Sequence, residues 1–258
     1  MLKKITILII TCLFAMTALS GCAYWESYSK SQCVQLVEDA LEEKYGEEFV
    51  VADIHVGAGG WYGVSGPLVA TCYSKSNDSL FFEAEYNKFG DAGELDDKYI
   101  QEIVAKQIKS IINTVLAKYY DNFAVEIDIN GLVPAYDPEI TNTADATVEG
   151  FSTAMIENDK EIYVNGWIVL NENQLNTYSQ SELEEIISEI GRQLHCITIG
   201  IDFCYVSPDL LNKSIDIVSD ESNNSRDIEK IIELNHKAFR YRYDGRTDKI
   251  TRLKPLMG

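Results

Sequence analysis

Residues 97–119 carry the feature that most restricts the fold, a stripe of large apolar side chains at helical spacing. The stripe recurs every three or four positions and consists of Ile100, Ile103, Val104, Ile108, Ile111, Ile112, Val115 and Tyr119. Side chains at this spacing lie on one face of an α-helix. Such a face must be buried against another layer, so the stripe predicts a packed core.

The residues before this helix predict a shorter helix followed by strands. The helix is indicated by apolar positions at spacings of 3, 4 and 4, namely Val34, Val37, Leu41 and Tyr45. Ser31 can cap its start and Gly46 can end it. Extended stretches rich in β-branched and aromatic residues follow at 49–56, 68–73 and 80–86, and then an acidic loop at 91–97. After the long helix, residues 123–129 alternate in polarity like a half-buried strand.

The second half of the chain predicts a similar mixture of elements. Residues 161–170 and 198–206 favour strands, and a helix capped by Ser179 or Ser181 lies between them. A further helix is expected at 225–237, then a hairpin with a type I′ turn at Asp244-Gly245. We therefore predict an α+β fold of helices packed on antiparallel sheets. It has two small halves at 31–130 and 146–258, joined by a connection at 131–145; one larger domain is the alternative.

The N-terminal residues have the pattern of a secretory signal. Lys3 and Lys4 precede an apolar stretch that ends in small residues, too short to span a bilayer comfortably. Leu19-Ser20-Gly21-Cys22 then resembles the bacterial lipobox. The resemblance implies a signal peptide at 1–21 and a diacylglyceryl group on Cys22. It also implies attachment to the extracytoplasmic face of the cell membrane through fatty acyl chains such as palmitate, with a tether at 22–30. An uncleaved anchor is the alternative.

The charge of the chain excludes one class of partner. The formal net charge is −19, and removal of residues 1–21 leaves 20 basic against 41 acidic residues, a net charge of −21. A general nucleic-acid binder needs a basic face, so nucleic acid is not expected as a partner. Residues 226–258 carry nine basic and five acidic residues. This basic tail is expected to lie against the protein's own acidic surface, or to bind phosphate or lipid.

Four cysteines remain beyond the lipid attachment site. Cys33, Cys72, Cys196 and Cys204 allow three pairings, and the simplest pairs Cys33 with Cys72 and Cys196 with Cys204. An extracytoplasmic location permits disulfides, while buried free thiols are the alternative.

The glycine-rich segment 57–63 is the first candidate for a binding surface. It lacks the lysine of a phosphate-binding P-loop and the spacing of a dinucleotide site. A hairpin connection is the simplest interpretation. Trp61 and Tyr62 would nevertheless form a contact edge if they are exposed, because large aromatic rings are good binding contacts.

No residue pattern identifies a catalytic site, a cofactor site or a metal site. The three histidines, His55, His195 and His236, show no metal-ligand spacing. Neither does His195 with Cys196 indicate a catalytic dyad, because adjacent residues rarely meet as one. The acidic groups at 91–97 and 216–221 lack the ligand order of a calcium-binding EF-hand. We expect Asp96 and Asp97 to cap the long helix.

One further resemblance concerns residues 41–49, Leu-Glu-Glu-Lys-Tyr-Gly-Glu-Glu-Phe. A capped helix entering strands soon after a lipid anchor resembles a group of uncharacterised lipoproteins of Gram-positive bacteria. The order of a helix followed by an antiparallel sheet is similar to cystatin-like and PepSY-like modules, without catalytic residues. The expected function is non-catalytic binding of an envelope protein, peptide or solute. The alternatives are an envelope hydrolase, and a folding helper or protease inhibitor.

Overall fold

A computed structural model describes most of the chain beyond the N-terminal segment. The described residues are 28–57, 66–89, 92–128, 146–157, 163–175, 177–194, 197–219, 238–244 and 247–253. The fold is α+β, which confirms the predicted class. The chain forms two compact units, one ending at Tyr99 and the other beginning at Ile100. Within the described residues, no helix combines the length and apolarity needed to cross a membrane.

The first unit packs one helix on a four-stranded antiparallel sheet with the strand order β1-β2-β3-β4. Its elements are α1 (Lys30–Tyr45), β1 (Phe49–Val56), β2 (Leu68–Ser74), β3 (Asn77–Phe89) and β4 (Ala92–Asp97). Val37 and Leu41 of α1 are fully buried, and so are Ala84 and Cys72 of the sheet. The four strands therefore present one face to α1.

The ends of α1 follow from local hydrogen bonding. Ser29, not the predicted Ser31, caps the start. Its side chain accepts a hydrogen bond from the Gln32 backbone amide, and the Gln32 side chain accepts one from the Ser29 backbone amide, which together form a capping box. Gly46 ends the helix in the left-handed conformation with φ 70°, as predicted.

The second unit is built on a mixed five-stranded sheet with the order β5-β6-β7-β8-β9. α2 (Tyr99–Leu116) begins at the last residue of the first unit. The remaining elements are β5 (Phe123–Asp128), α3 (Val148–Glu157), β6 (Tyr163–Asn171), α4 (Gln180–Gln193), β7 (Thr198–Val206), α5 (Pro208–Ser219), β8 (Ala238–Asp244) and β9 (Lys249–Leu253). β6 and β7 are parallel, so the expectation of purely antiparallel sheets is wrong here. A parallel pair needs a crossover, which α4 supplies.

Helices cover both faces of the second sheet. Gly191 of α4 lies against the ring of Tyr243, which is paired with Ile199 of β7. Cys204 of β7 packs instead with Leu211 of α5. Positions 199 and 204 point to opposite faces because strand side chains alternate. All nine residues of β7 are consequently buried.

The division of the chain differs from the expected halves, because β5 pairs with β6 and so belongs to the second sheet. The expected connection at 131–145 and the expected helix at 225–237 lie outside the described residues. The terminal hairpin is present, but Asp244 pairs with Lys249, so its loop has four residues and not the two of a type I′ turn.

Candidate functional site

A polar network lies where the end of α1 meets β4 and the start of α2. The Asp97 carboxylate, whose side chain is fully buried, forms an ion pair with Lys44. Its Oδ1 atom accepts the Tyr45 hydroxyl at 2.8 Å and the Tyr99 backbone amide at 3.0 Å. Asp97 thus holds the start of α2, as predicted. The segment before that helix is, however, strand β4 and not the expected acidic loop.

The neighbouring carboxylate, Glu47, binds three hydroxyl groups. Its Oε1 accepts the Tyr99 hydroxyl at 2.9 Å, and its Oε2 accepts the hydroxyls of Ser74 at 2.6 Å and Ser76 at 2.9 Å. All four carboxylate oxygens of Asp97 and Glu47 therefore accept at least one hydrogen bond or ion-pair contact. Together these groups connect α1, β2, β4 and Tyr99 at one end of the first sheet.

Burial determines the protonation of this region. Burial lowers the pKa of Lys44, and the adjacent Asp97 carboxylate opposes that shift. Burial also raises the pKa of Tyr99 to about 12. Aromatic rings enclose the network, since Tyr99 packs against Phe49 and Phe82 with centroid distances of 5.0 and 4.9 Å. An enclosed and hydrogen-bonded network of this kind serves as a structural clamp and offers no carboxylate for proton transfer.

The opposite side of the first sheet carries exposed and half-buried side chains, and we call it the outer face. It consists of Val50, Asp53, His55, Val69, Thr71, Tyr73, Phe81, Glu83, Glu85 and Asp96. Phe81 is 37% exposed and packs edge-to-face with Tyr73 at a centroid distance of 5.3 Å. Val50 is paired with Tyr73 and completes a row of three apolar side chains across β1, β2 and β3. A large aromatic exposed beside a second ring is typical of a contact surface.

A charged pair of the second unit joins β7 and β8. Arg240 donates from Nε to Asp202 Oδ1 at 2.7 Å and from Nη2 to Asp202 Oδ2. The hydrogen bonds to Asp202 raise the pKa of Arg240. The two charges neutralise each other, and Arg240 belongs to the basic segment at 226–258. Arg252 of the same segment donates to Gln180 at 2.7 Å and stacks on Phe239. Two basic residues of the tail are thus bound within their own unit.

The structure places some of the residues singled out by sequence. Cys33, Cys72 and Cys204 are buried free thiols, so the expected Cys33–Cys72 disulfide is absent. Cys72 is paired with Val51, whose amide donates to Glu38 of α1.

Several predicted site residues lie outside the described residues: Cys22, Trp61, Tyr62, His195, Cys196 and His236. His55 is exposed on the outer face. Among the described residues, no group of three or more histidine, cysteine or acidic side chains is arranged to hold a metal ion. The outer face was missed by sequence analysis, because both sides of β2 carry apolar side chains and its polarity does not alternate with its burial.

Comparisons with known proteins bear on the fold alone. No family model matches the chain, and neither does any curated protein. A crystal structure of a DUF5037 family protein from Ruminococcus gnavus ATCC 29149 is similar with a TM-score of 0.55 and 22% sequence identity. The similarity covers 84% of this chain and 93% of that chain. The α+β architecture therefore occurs in a solved structure.

Proposed function

We propose that this protein is a lipid-anchored extracytoplasmic protein that binds a partner of the cell envelope without catalysing a reaction. The outer face of the first sheet is its contact surface. The observation that carries the proposal is the exposed Phe81, packed edge-to-face on Tyr73, on a sheet whose other face already packs against α1.

The anchor is supported by the lipobox resemblance at residues 19–22. Two acyl chains, each contributing about 0.8 kcal/mol per buried methylene, would hold a folded domain firmly at a membrane. The outer face lies close to Cys22 in the sequence, within the first unit.

The non-catalytic character is supported by the hydrogen bonding of the buried Asp97 carboxylate and the half-buried Glu47 carboxylate. A general acid or base needs an oxygen or nitrogen that can exchange a proton with a substrate. Asp97 and Glu47 are instead occupied by Lys44, by tyrosine and serine hydroxyls and by a backbone amide. Their arrangement favours stability of the first unit over chemistry.

The anchor is tested by metabolic labelling with a fatty acid. Wild-type protein should be labelled, and Cys22→Ala should lose the label, because only a thiol accepts the diacylglyceryl group. Cys12→Ala is the matched control, since it removes another cysteine from the predicted signal and should leave labelling intact. Unlabelled wild-type protein would exclude the anchor.

The contact surface is tested by photocrosslinking in living cells. A photoreactive phenylalanine analogue at Phe81 preserves the ring and should give one or a few discrete crosslinked products. The same analogue at Asp209, an exposed position of α5, is the control and should give none of these products. Equal products at both positions, or none at either, would remove the outer face as the contact surface.

A further inference from the structure

The outer face carries an ordered pattern of charge as well as its aromatic pair. Strand register aligns its side chains in rows across the sheet. The apolar row at Phe81 is followed by a row ending in Glu83 and then by a row in which Glu85 lies directly opposite Asp96. Along β3, positions 81, 83 and 85 therefore present one aromatic ring and two carboxylates, about 7 Å apart.

The two carboxylate rows differ in how their charge is balanced. Lys98 pairs with Glu83 at 3.4 Å, and both side chains are well exposed. Asp53 belongs to the same row as Glu83, and its Oδ1 atom lies 3.8 Å from Lys30 Nζ. In the described part of the chain, neither Glu85 nor Asp96 forms an ion pair within 4 Å, and Asp96 has only the more distant charges of Lys44 and Lys98 to balance it. Like charges directly opposite each other on adjacent strands are destabilising. Burial raises the pKa of Asp96, the charges of Asp97 and Glu94 add to that shift, and the charges of Lys44 and Lys98 oppose it.

A bound cation would relieve this repulsion, and the neighbouring aromatic pair indicates what kind of molecule carries it. An extended polypeptide places alternate side chains on one side at intervals of about 6.6 to 7 Å. That interval matches the spacing of the three rows. A small inorganic cation would use the carboxylates but would leave the exposed rings unoccupied.

We propose that the outer face binds an extended cationic segment of a partner polypeptide, with the alternating pattern apolar, basic, basic. The apolar side chain packs on Phe81 and Tyr73. The first basic side chain lies over Glu83, and the second lies between Glu85 and Asp96. The inference rests on the proposed function and names the chemistry of its partner.

The test uses the chain from residue 22 onward with Cys22→Ser, so that it is soluble without its lipid. The probe is a fluorescent peptide with the sequence Phe-Ser-Lys-Ser-Lys-Ser, and fluorescence anisotropy measures its binding. The comparison peptides are Phe-Ser-Glu-Ser-Glu-Ser and Lys-Ser-Ser-Phe-Lys-Ser. Only the first peptide should bind well, and its affinity should fall as salt concentration rises.

Variants locate the contact. Glu85→Gln with Asp96→Asn should weaken binding about three- to tenfold, as expected for loss of two exposed ion pairs, and should reduce the salt dependence. Glu42→Gln with Glu43→Gln makes the same change of charge on exposed positions of α1 and should leave binding unchanged. Phe81→Ser should weaken binding at every salt concentration. The charge variants should keep or raise the melting temperature, which separates binding from folding.

Equal binding of the three peptides, or equal loss in the α1 control, would overturn the inference. Competition by millimolar calcium that depends on Glu85 and Asp96 would instead identify a cation site and also overturn it. These failures would leave the proposed function in place if Phe81 still gives discrete crosslinks in cells. Absence of both peptide binding and crosslinks would remove the inference and the proposed contact surface together.

Discussion

The Asp202–Arg240 pair allows a quantitative test of the second sheet. The two side chains differ in exposure, since Asp202 is 8% exposed and Arg240 is 23% exposed. Arg240→Met leaves a nearly buried carboxylate without its partner, and loss of one member of a buried pair costs about 3 to 5 kcal/mol. Asp202→Asn leaves a guanidinium that still reaches water, so we expect only the cost of a charged hydrogen bond, about 2 to 3 kcal/mol.

The double variant should be less destabilised than the sum of the two single variants. The difference is the coupling energy of contacting residues, about 0.5 to 3 kcal/mol. Arg242→Met is the control, because this exposed arginine lies on the same strand, and its replacement should cost about 0.5 kcal/mol or less.

Urea unfolding followed by the fluorescence of Trp167 measures these free energies in the second unit. Trp167 is paired with Asp202 and is buried, so its emission reports unfolding of the sheet itself. The other two tryptophans, Trp25 and Trp61, should first be replaced by phenylalanine. Strict additivity, or a larger loss for Asp202→Asn than for Arg240→Met, would refute the reasoning from burial.

Three further predictions concern the second unit. Ile108→Ala or Ile112→Ala should each cost about 2 to 5 kcal/mol in urea unfolding, because both side chains of α2 are fully buried; a loss below about 0.5 kcal/mol would contradict this packing. Gly191→Ala should destabilise by about 1 kcal/mol, because a methyl group there overlaps the Tyr243 ring at a cost of about 1 to 3 kcal/mol that exceeds the gain in helix propensity. Adding Tyr243→Leu should remove that penalty, and stabilisation by Gly191→Ala alone would refute the contact. Burial raises the pKa of the Cys204 thiol from 9.0 to about 12. The free energy of unfolding is therefore unaffected by this thiol below pH 9, and it falls by up to about 4 kcal/mol as the pH rises to 12. Cys204→Ala should show a shallower alkaline loss in urea unfolding, and parallel pH profiles would contradict the assignment.

Sequence patterns predicted the elements with the strongest local signals, either a helical period of apolar residues or a run of β-branched and aromatic residues. β1 and β7 have the predicted bounds, and α1 and α4 begin and end within a few residues of expectation. The buried side chains of α4, Leu183, Ile186, Ile187 and Ile190, are those that its helical period selected. In each case the local period and the tertiary burial agree, which is the condition under which pattern reasoning works.

The missed elements have weak or misleading local signals. β4 reads as an acidic loop, since Ala-Gly-Glu-Leu-Asp-Asp has little β-propensity, and pairing with β3 makes it a strand. α3 and α5 were not predicted at all. The division of the chain was misplaced because β5 lies next to α2 in sequence but is hydrogen-bonded to β6. Pairing between distant strands is a tertiary property that local periodicity does not encode.

The candidate site could be predicted only in part. Side chains of every strand alternate between the two faces of its sheet, but the two sheets differ in how many of their faces are covered by helices. β2 alternates between buried and accessible positions, because α1 covers one face of the first sheet and the other face remains exposed. β7 is buried at every position, because α4 and α5 cover both faces of the second sheet. A fully covered strand has no side chain left for a partner, whereas an alternating strand presents every second one. The burial patterns therefore favour the first sheet as the binding element, while the second sheet supplies stability. Sequence reasoning pointed to Trp61 and Tyr62, which lie outside the described residues, whereas the outer face emerges from the register of β1, β2 and β3, which only the folded structure shows.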